Sequence, residues 1–230
     1  MKLFFGEIFP DVKLSDEEQQ HISKVLRMQD GDKIFVTDGK GNLAQGNLVF
    51  EGKKVLLSHV KIQENLPNFS TRLHIAIAPT KNIDRTEFLV EKATEMGVSE
   101  ITFLSTEKTE RKNINIEKIR KQSIAASKQS LRFHFPKIND ITKFSDFIRD
   151  LDGDNSFVAH CHEHLERIEL SQIKPKEKIT FLIGPEGDFS EKEIVLLSEK
   201  GIKAVSLGSQ RLRTETAGIF VTAWNYGLLF

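Results

Sequence analysis

From Leu73 onward the chain alternates short apolar runs with helical stretches, and this rhythm bounds what it can fold into. Leu73 to Ala78, Ile101 to Leu104, Phe157 to Ala159, Ile179 to Ile183 and Ala204 to Leu207 read as strands. Asp84 with Glu87 opens a helix that Gly97 ends, its buried stripe expected at Phe88, Leu89, Ala93 and Met96. Further helices are expected from about Asn115 to Leu131 and from about Lys143 to Leu151. Strands alternating with helices predict an α/β domain with a mostly parallel sheet covered on both faces.

Within that domain the stretch from Lys178 to Trp224 stands out. Twice an apolar run stops at a glycine-containing loop and a helix follows. The first loop is Gly184-Pro185-Glu186-Gly187; the second runs from Gly208 to Thr214 and carries Arg211 and Arg213. Both loops open at the carboxyl edge of the sheet, where open α/β folds bind ligands. Ser190 and Glu193 form a capping box behind the first loop, and Gly201 stops that helix. No Gly-Lys-Ser/Thr follows the first loop, and GxGxxG is absent, so neither a triphosphate loop nor a dinucleotide fingerprint is present. A loop of carbonyls and amides without lysine suits an adenosine-type ligand, although GPEG alone is also an ordinary strand-to-helix turn. Two arginines beside Thr214-Glu215-Thr216 are harder to explain without a ligand, and an Arg213–Glu215 ion pair is expected to orient the guanidinium. The helix through Ile219, Phe220, Val221, Ala223, Trp224, Tyr226, Leu228 and Leu229 is apolar on nearly every side, which predicts burial all round and a subunit interface.

Residues 1 to about 68 read differently. Ile34-Phe35-Val36, Leu48-Val49-Phe50 and Lys54 to Val60 are β-compatible runs separated by tight turns, which predicts a small barrel. Ser15 with Glu18 starts a short helix toward Met28. His21, Lys24 and Arg27 on it face either a partner or solvent, and from spacing alone the solvated face is the simpler reading. Glu64 to Asn68 is polar and contains Pro67, so the expected domains are 1–68 and 69–230.

With 33 basic and 33 acidic residues, the net charge gives no global pull toward nucleic acid or acidic lipid. One local exception runs from Glu107 to Lys137, with nine basic residues against three acidic ones. This block suits a phosphate backbone and equally a solvated amphipathic helix. Cys161 is the single cysteine, which fits a reducing cytoplasm. The opening MKLFFGEIFP is too short an apolar run for a signal peptide, and no segment has the length of a membrane helix. His160-Cys161-His162-Glu163-His164 has zinc-ligand residue types, but adjacent residues do not converge on one tetrahedral ion, so no metal is expected. By position, His160 follows a strand and opens on the same edge as the two loops.

GPEGDFSEKEI followed by LGSQRLRTETA resembles the 16S ribosomal RNA uracil-N3 methyltransferases of the SPOUT superfamily. His21 through Met28 is similar to that family's HxxxVLRM signature, Lys81 through Gly97 to its Lys-, Arg- and Glu-bearing stretch, and Ala125 through Arg132 to a glutamine-containing helix. The resemblance implies a PUA-like β-barrel followed by a SPOUT domain threaded into a deep trefoil knot. It implies S-adenosyl-L-methionine as cofactor, a homodimer joined through the C-terminal helix, and methylation of N3 of one uridine in 16S rRNA of the 30S subunit. On this basis His160, Ile183, Gly184, Pro185, Gly187, Leu207, Gly208, Leu212 and Thr214 are the expected cofactor residues. Arg213, oriented by Glu215, is the expected catalytic group. His21, Arg27, Lys108, Arg111, Gln129, Arg132 and Arg211 are expected at the RNA. Three positions depart from the family pattern: Asp188 stands where a second glycine is usual, Gln210 precedes the basic Arg211, and Lys108 replaces an arginine. Two rival readings keep the scaffold, a methyltransferase acting on tRNA and an RNA-binding protein without catalysis.

Overall fold

The computed structural model describes residues 1–68, 72–162, 166–174 and 178–228. The chain divides into two compact units, Met1–Phe69 with Ile124–Phe135, and Ser70–Ser123 with Pro136–Phe230. Residues 124–135, placed by the sequence reading in the second domain, cluster with the first unit.

The first unit holds β1 (Leu3–Glu7), β2 (Lys13–Leu14), α1 (Asp16–Gln20), β3 (Lys33–Thr37), β4 (Leu43–Glu51) and β5 (Lys54–Gln63). They form one sheet in the order β2-β1-β3-β4-β5, antiparallel except for β1 and β3. Among the described residues its edges, β2 and β5, share no ladder. Gln19 bridges them instead: its amide nitrogen donates to Leu14 O and its amide oxygen accepts from Val55 N, each at 2.9 Å. Phe4, Ile8, Ile22, Ile34, Val36 and Leu48 fill the interior. Ser15 caps α1 as its spacing with Glu18 predicts, but after Gln20 the helix loosens into a π-turn, His21–Val25, and stops short of Met28. Residues 124–135 join this unit through specific contacts. The Phe135 and Gly41 amides donate to Gly39 O and Phe133 O, and His134 Nε2 lies 2.8 Å from Leu66 O.

The second unit holds β6 (Leu73–Ile77), α2 (Ile83–Glu95), β7 (Glu100–Ser105), α3 (Ile116–Gln129, whose last turns count with the first unit), β8 (Lys137–Lys143), α4 (Phe144–Arg149), β9 (Ser156–Ala159), β10 (Ile168–Glu169), β11 (Ile179–Ile183), α5 (Glu191–Glu199), β12 (Lys203–Ser206) and α6 (Thr214–Gly227). These strands are all parallel, in the order β10-β12-β9-β11-β6-β7-β8. β8 and β10 were not foreseen; their sequences, KINDITK and IE, are too polar or too short to read as strands. Alternation along each strand serves two cores. Ile179, Phe181 and Ile183 share one with Leu89, Val90 and Ala93 of α2 and Val221 of α6. Ala76, Leu104 and Leu182 share the other with Phe144 and Ile148 of α4 and Ile194 of α5.

Two expected buried faces differ. Phe88 is half exposed on α2, with Lys92 Nζ 5.7 Å from its ring centroid, and Thr86, Val90 and Thr94 take buried positions. α6 is not buried all round: Thr216, Phe220, Ala223 and Gly227 form an exposed stripe at helical spacing. The opposite side packs so closely on α2 that a Cβ at Gly218 would stand 2.6 Å from Leu89 Cδ1. Leu229 lies outside the described residues.

Candidate active site

β9, β11 and β12 all end on the carboxyl edge of the sheet, with β9 lying between the other two. A cavity of about 310 Å³ opens there. β9 delivers Ala159 and His160 to its wall, β11 delivers Ile183, Gly184, Pro185 and Glu186, and β12 delivers Val205, Leu207 and Gly208; Arg211, Leu212, Arg213 and Thr214 complete it. Thr214 Oγ1 donates to Gly184 O at 3.1 Å, tying the start of α6 to the first loop. Gly208 has φ +124°, a conformation open to glycine, and nothing lies within 4 Å of where a Cβ would stand. Of the nine residues expected to hold a cofactor, eight line this cavity. Gly187 is the exception: its missing Cβ would meet the Lys108 side chain at 3.3 Å, away from the cavity.

The cations expected at RNA are partly engaged by the loops themselves. Lys108 Nζ donates to Gly187 O at 3.0 Å, Arg111 Nη2 to Lys81 O at 2.6 Å and Arg211 Nη2 to Glu186 O at 3.1 Å. Glu186 in turn accepts from the Lys81 amide at 2.9 Å, so loops after β6, β7 and β11 brace one another. His21, Arg27, Gln129 and Arg132 belong to the first unit. There Arg27 is exposed at φ +48°, and His21 Nδ1 lies 3.9 Å from Glu18 Oε2. Much of the basic block is also engaged by carboxylates: Lys118 pairs with Glu87, Arg120 with Glu117, Lys128 with Glu18 and Lys137 with Glu100.

The expected Arg213–Glu215 pair does not form. Glu215 is buried and its Oε1 lies 3.7 Å from Arg85 Nε on α2. Arg213 is the N-cap residue of α6, exposed at the cavity wall, and among the described residues no carboxylate pairs with it. Arg85 was missed because its partner sits across the fold, a relation that local spacing does not carry. Arg167, just before β10, also lines the cavity and was likewise missed.

His160 is buried, and its Nδ1 accepts from the His162 amide at 3.2 Å, which places the ring proton on Nε2. His162 Nε2 lies 3.0 Å from Phe189 O, the expected direction being donation to the carbonyl. Among the described residues no three potential metal ligands cluster; Glu163 and His164 lie outside them.

At Asp188, where the resemblance leads one to expect glycine, the backbone accommodates aspartate. Its φ is +61°, a left-handed conformation that glycine adopts freely and aspartate better than most residues. Its Oδ2 accepts from Cys161 N at 2.7 Å and its Oδ1 from Phe189 N at 2.8 Å, bonds that glycine cannot make.

The cavity suits S-adenosyl-L-methionine. Its volume falls in the range of small-molecule sites. The aliphatic side chains of Ile183, Leu207 and Leu212 offer packing for a flat base, and the open backbone at Gly208 allows close approach.

Comparisons with known proteins show the family. Residues 67–225 match the RNA methyltransferase domain family, and residues 14–59 match the RNA methyltransferase PUA domain family. A relative from Rickettsia conorii called ribosomal RNA small subunit methyltransferase E is 33% identical, over 91% of this chain and 86% of its own. A crystal structure of a probable rRNA-methyltransferase from Porphyromonas gingivalis is 35% identical with a TM-score of 0.91, covering 100% of this chain and 98% of that one. A crystal structure from Neisseria gonorrhoeae, of a ribosomal RNA small subunit methyltransferase E bound to S-adenosyl methionine, is 25% identical with a TM-score of 0.82, covering 99% of this chain and 98% of that one. This chain is therefore a member of the ribosomal RNA small subunit methyltransferase E family, an α/β RNA methyltransferase carrying a PUA-type N-terminal domain.

Proposed function

We propose that this protein methylates N3 of a uridine in 16S rRNA, using S-adenosyl-L-methionine. The observation that carries the reading is the cavity at the ends of β9, β11 and β12, with Arg213 unpaired at its wall among the described residues. Ile183, Gly184, Pro185, Leu207, Gly208, Leu212 and Thr214, with His160 behind them, would hold the cofactor, whose sulfonium supplies an activated methyl group. Gly187 supports the first loop from outside the cavity. Uracil N3–H is weakly acidic and must give up its proton, here to solvent, so the reaction gains from a cation that stabilises charge developing on the base. Arg213 fills that role, and the amino end of α6 adds its positive dipole. Glu215 acts through Arg85 and the first turn of α6, not through Arg213.

Residues 1–68, joined by 124–135, serve as an RNA-binding barrel, and the rest of 69–230 as the methyltransferase domain, with a trefoil knot in the latter. His21, Arg27, Gln129 and Arg132 contact RNA from the first unit, and Lys108, Arg111 and Arg211 from the second, where they also brace the cofactor loop. The exposed stripe of α6 supports a homodimer seam. Among the described residues no helix is long and apolar enough to cross a membrane. An rRNA substrate would place the enzyme in the cytoplasm, acting on the 30S subunit or its rRNA.

Mapping methylated nucleotides by mass spectrometry on 30S subunits, naked 16S rRNA and tRNA tests the reading. A single 3-methyluridine in 16S rRNA is expected. Modification confined to tRNA, or at a different uracil atom, would overturn it.

A further inference from the structure

Beside the cofactor cavity lies a second, polar one of about 550 Å³. The two share Cys161, Arg167, Gly208, Gln210 and Arg211, and the second adds Glu169, Ser206 and Ser209. Arg167 is exposed, and its Nη1 donates to His160 O at 3.1 Å, which fixes one side of the guanidinium and leaves the other N–H groups available. Arg211 donates to the Glu186 carbonyl, and among the described residues neither arginine has a carboxylate partner. Glu169, the acidic residue in this cavity, is engaged in a capping box with Gln172. With Arg213 on the adjoining wall, three guanidinium groups that pair with no carboxylate among the described residues share one opening; the carboxylates that line it, Glu186, Asp188 and Glu169, are taken up by the amides of Lys81, of Cys161 and Phe189, and by the capping box.

Like charges held together cost free energy until an anion joins them. The proposed cofactor does not supply that charge. Its sulfonium and ammonium outweigh its one carboxylate, so it enters as a net cation. The remaining source is the substrate backbone, and arginine forks match phosphate oxygens.

We propose that the polar cavity is a phosphate subsite, in which Arg167 and Arg211, with Ser209 and Gln210 at hand, grip a backbone phosphate beside the target nucleotide. The proposal rests on the RNA methyltransferase reading. Arg167 is a positioning residue: it holds the strand while the base enters the neighbouring cavity.

The test uses the full-length protein, with naked 16S rRNA for binding and both rRNA and 30S subunits for turnover. Equilibrium binding over a series of salt concentrations is measured for wild type, Arg167→Ala and Arg167→Lys, beside calorimetric titration with S-adenosyl-L-methionine. Loss of one phosphate contact lowers the slope of log affinity against log salt by about 1. Arg167→Ala is therefore expected to show that loss of slope and a roughly tenfold rise in KM for RNA, with cofactor affinity within about twofold of wild type. Arg167→Lys keeps the charge and is expected to restore the slope. An unchanged slope in Arg167→Ala overturns the proposal, as does a fall in cofactor affinity with RNA binding intact, which would assign Arg167 to the cofactor carboxylate. Binding needs no turnover, so a wild type that binds rRNA but methylates none of it would defeat the proposed reaction separately.

Discussion

Glu215 faces Arg85 across the gap between two helices: its Oε1 stands 3.7 Å from Arg85 Nε, and its Oε2 is buried with no hydrogen-bond partner among the described residues. Arg85 is the cation that compensates this carboxylate. Arg85→Ala is therefore expected to destabilise the protein by about 1–3 kcal/mol, because it leaves a buried charge uncompensated. Adding Glu215→Gln to that background should recover part of the loss. Urea unfolding of the single and double variants measures both, and equal, additive losses would rule out the coupling.

Arg213 has a separate role, and its removal should act on rate. Arg213→Ala is expected to lower kcat by about 10²–10³-fold, the scale of losing one charge-stabilising donor, while cofactor affinity stays near wild type. Turnover close to normal at saturating RNA would end its assignment as the polarising group.

At Asp188, two substitutions separate backbone strain from hydrogen bonding. Asp188→Ala keeps the left-handed backbone and loses the bonds to Cys161 and Phe189, with an expected cost of about 2 kcal/mol. Asp188→Gly loses the same bonds without the strain and should cost less. Thermal unfolding of the pair gives the order, and the reverse order would show that strain is not at issue.

Phe220 stands on the exposed stripe of α6, with Thr216 one turn before it and Ala223 and Gly227 after it. If a second copy covers this stripe, Phe220→Glu buries a charge at the seam, and light scattering after size exclusion should report the mass of a single chain where wild type gives two. A dimeric variant would place the seam elsewhere.

His74 predicts a pH dependence. Burial pushes its imidazole from 6.5 down to about 4; nearby Glu100 works against that, and Lys178 and Lys137 add to it. Nε2 lies 2.8 Å from Thr102 Oγ1. Between those two values the unfolded chain binds a proton that the folded chain refuses. This contribution is therefore fully present above pH 6.5, is lost as pH falls toward 4, and is on the order of 3 kcal/mol. Urea midpoints of wild type and His74→Gln should converge as pH falls through this window if the variant is the less stable at neutral pH, and an identical pH slope for both would refute the assignment.

What the sequence shows and hides follows physical range. The strands carrying the site were legible because Ile179–Ile183 and Leu73–Ile77 are buried on both faces and so are largely apolar. The two glycine loops were legible because chain reversal at a strand end has a local chemistry. Arg85 and Arg167 were not, since each acquires its neighbours only through the fold. The same holds for Gln19, whose side chain closes a sheet from a position that reads as ordinary helix surface. Phe88 misled because helical periodicity says which residues share a face, not which face is covered.

The pairing of β6 with β11 has a consequence for how the chain is made. Leu73 lies beside Ile179, and the register holds through Ile77 and Ile183, across about a hundred residues of intervening sequence. β6 is apolar apart from His74 and emerges from the ribosome long before its neighbour exists. During synthesis it is an uncovered edge, and closing it costs the chain entropy of a long loop before any ladder forms. The nascent protein therefore carries an aggregation-prone strand edge through nearly half of its translation, and that edge closes only once β11 has been released.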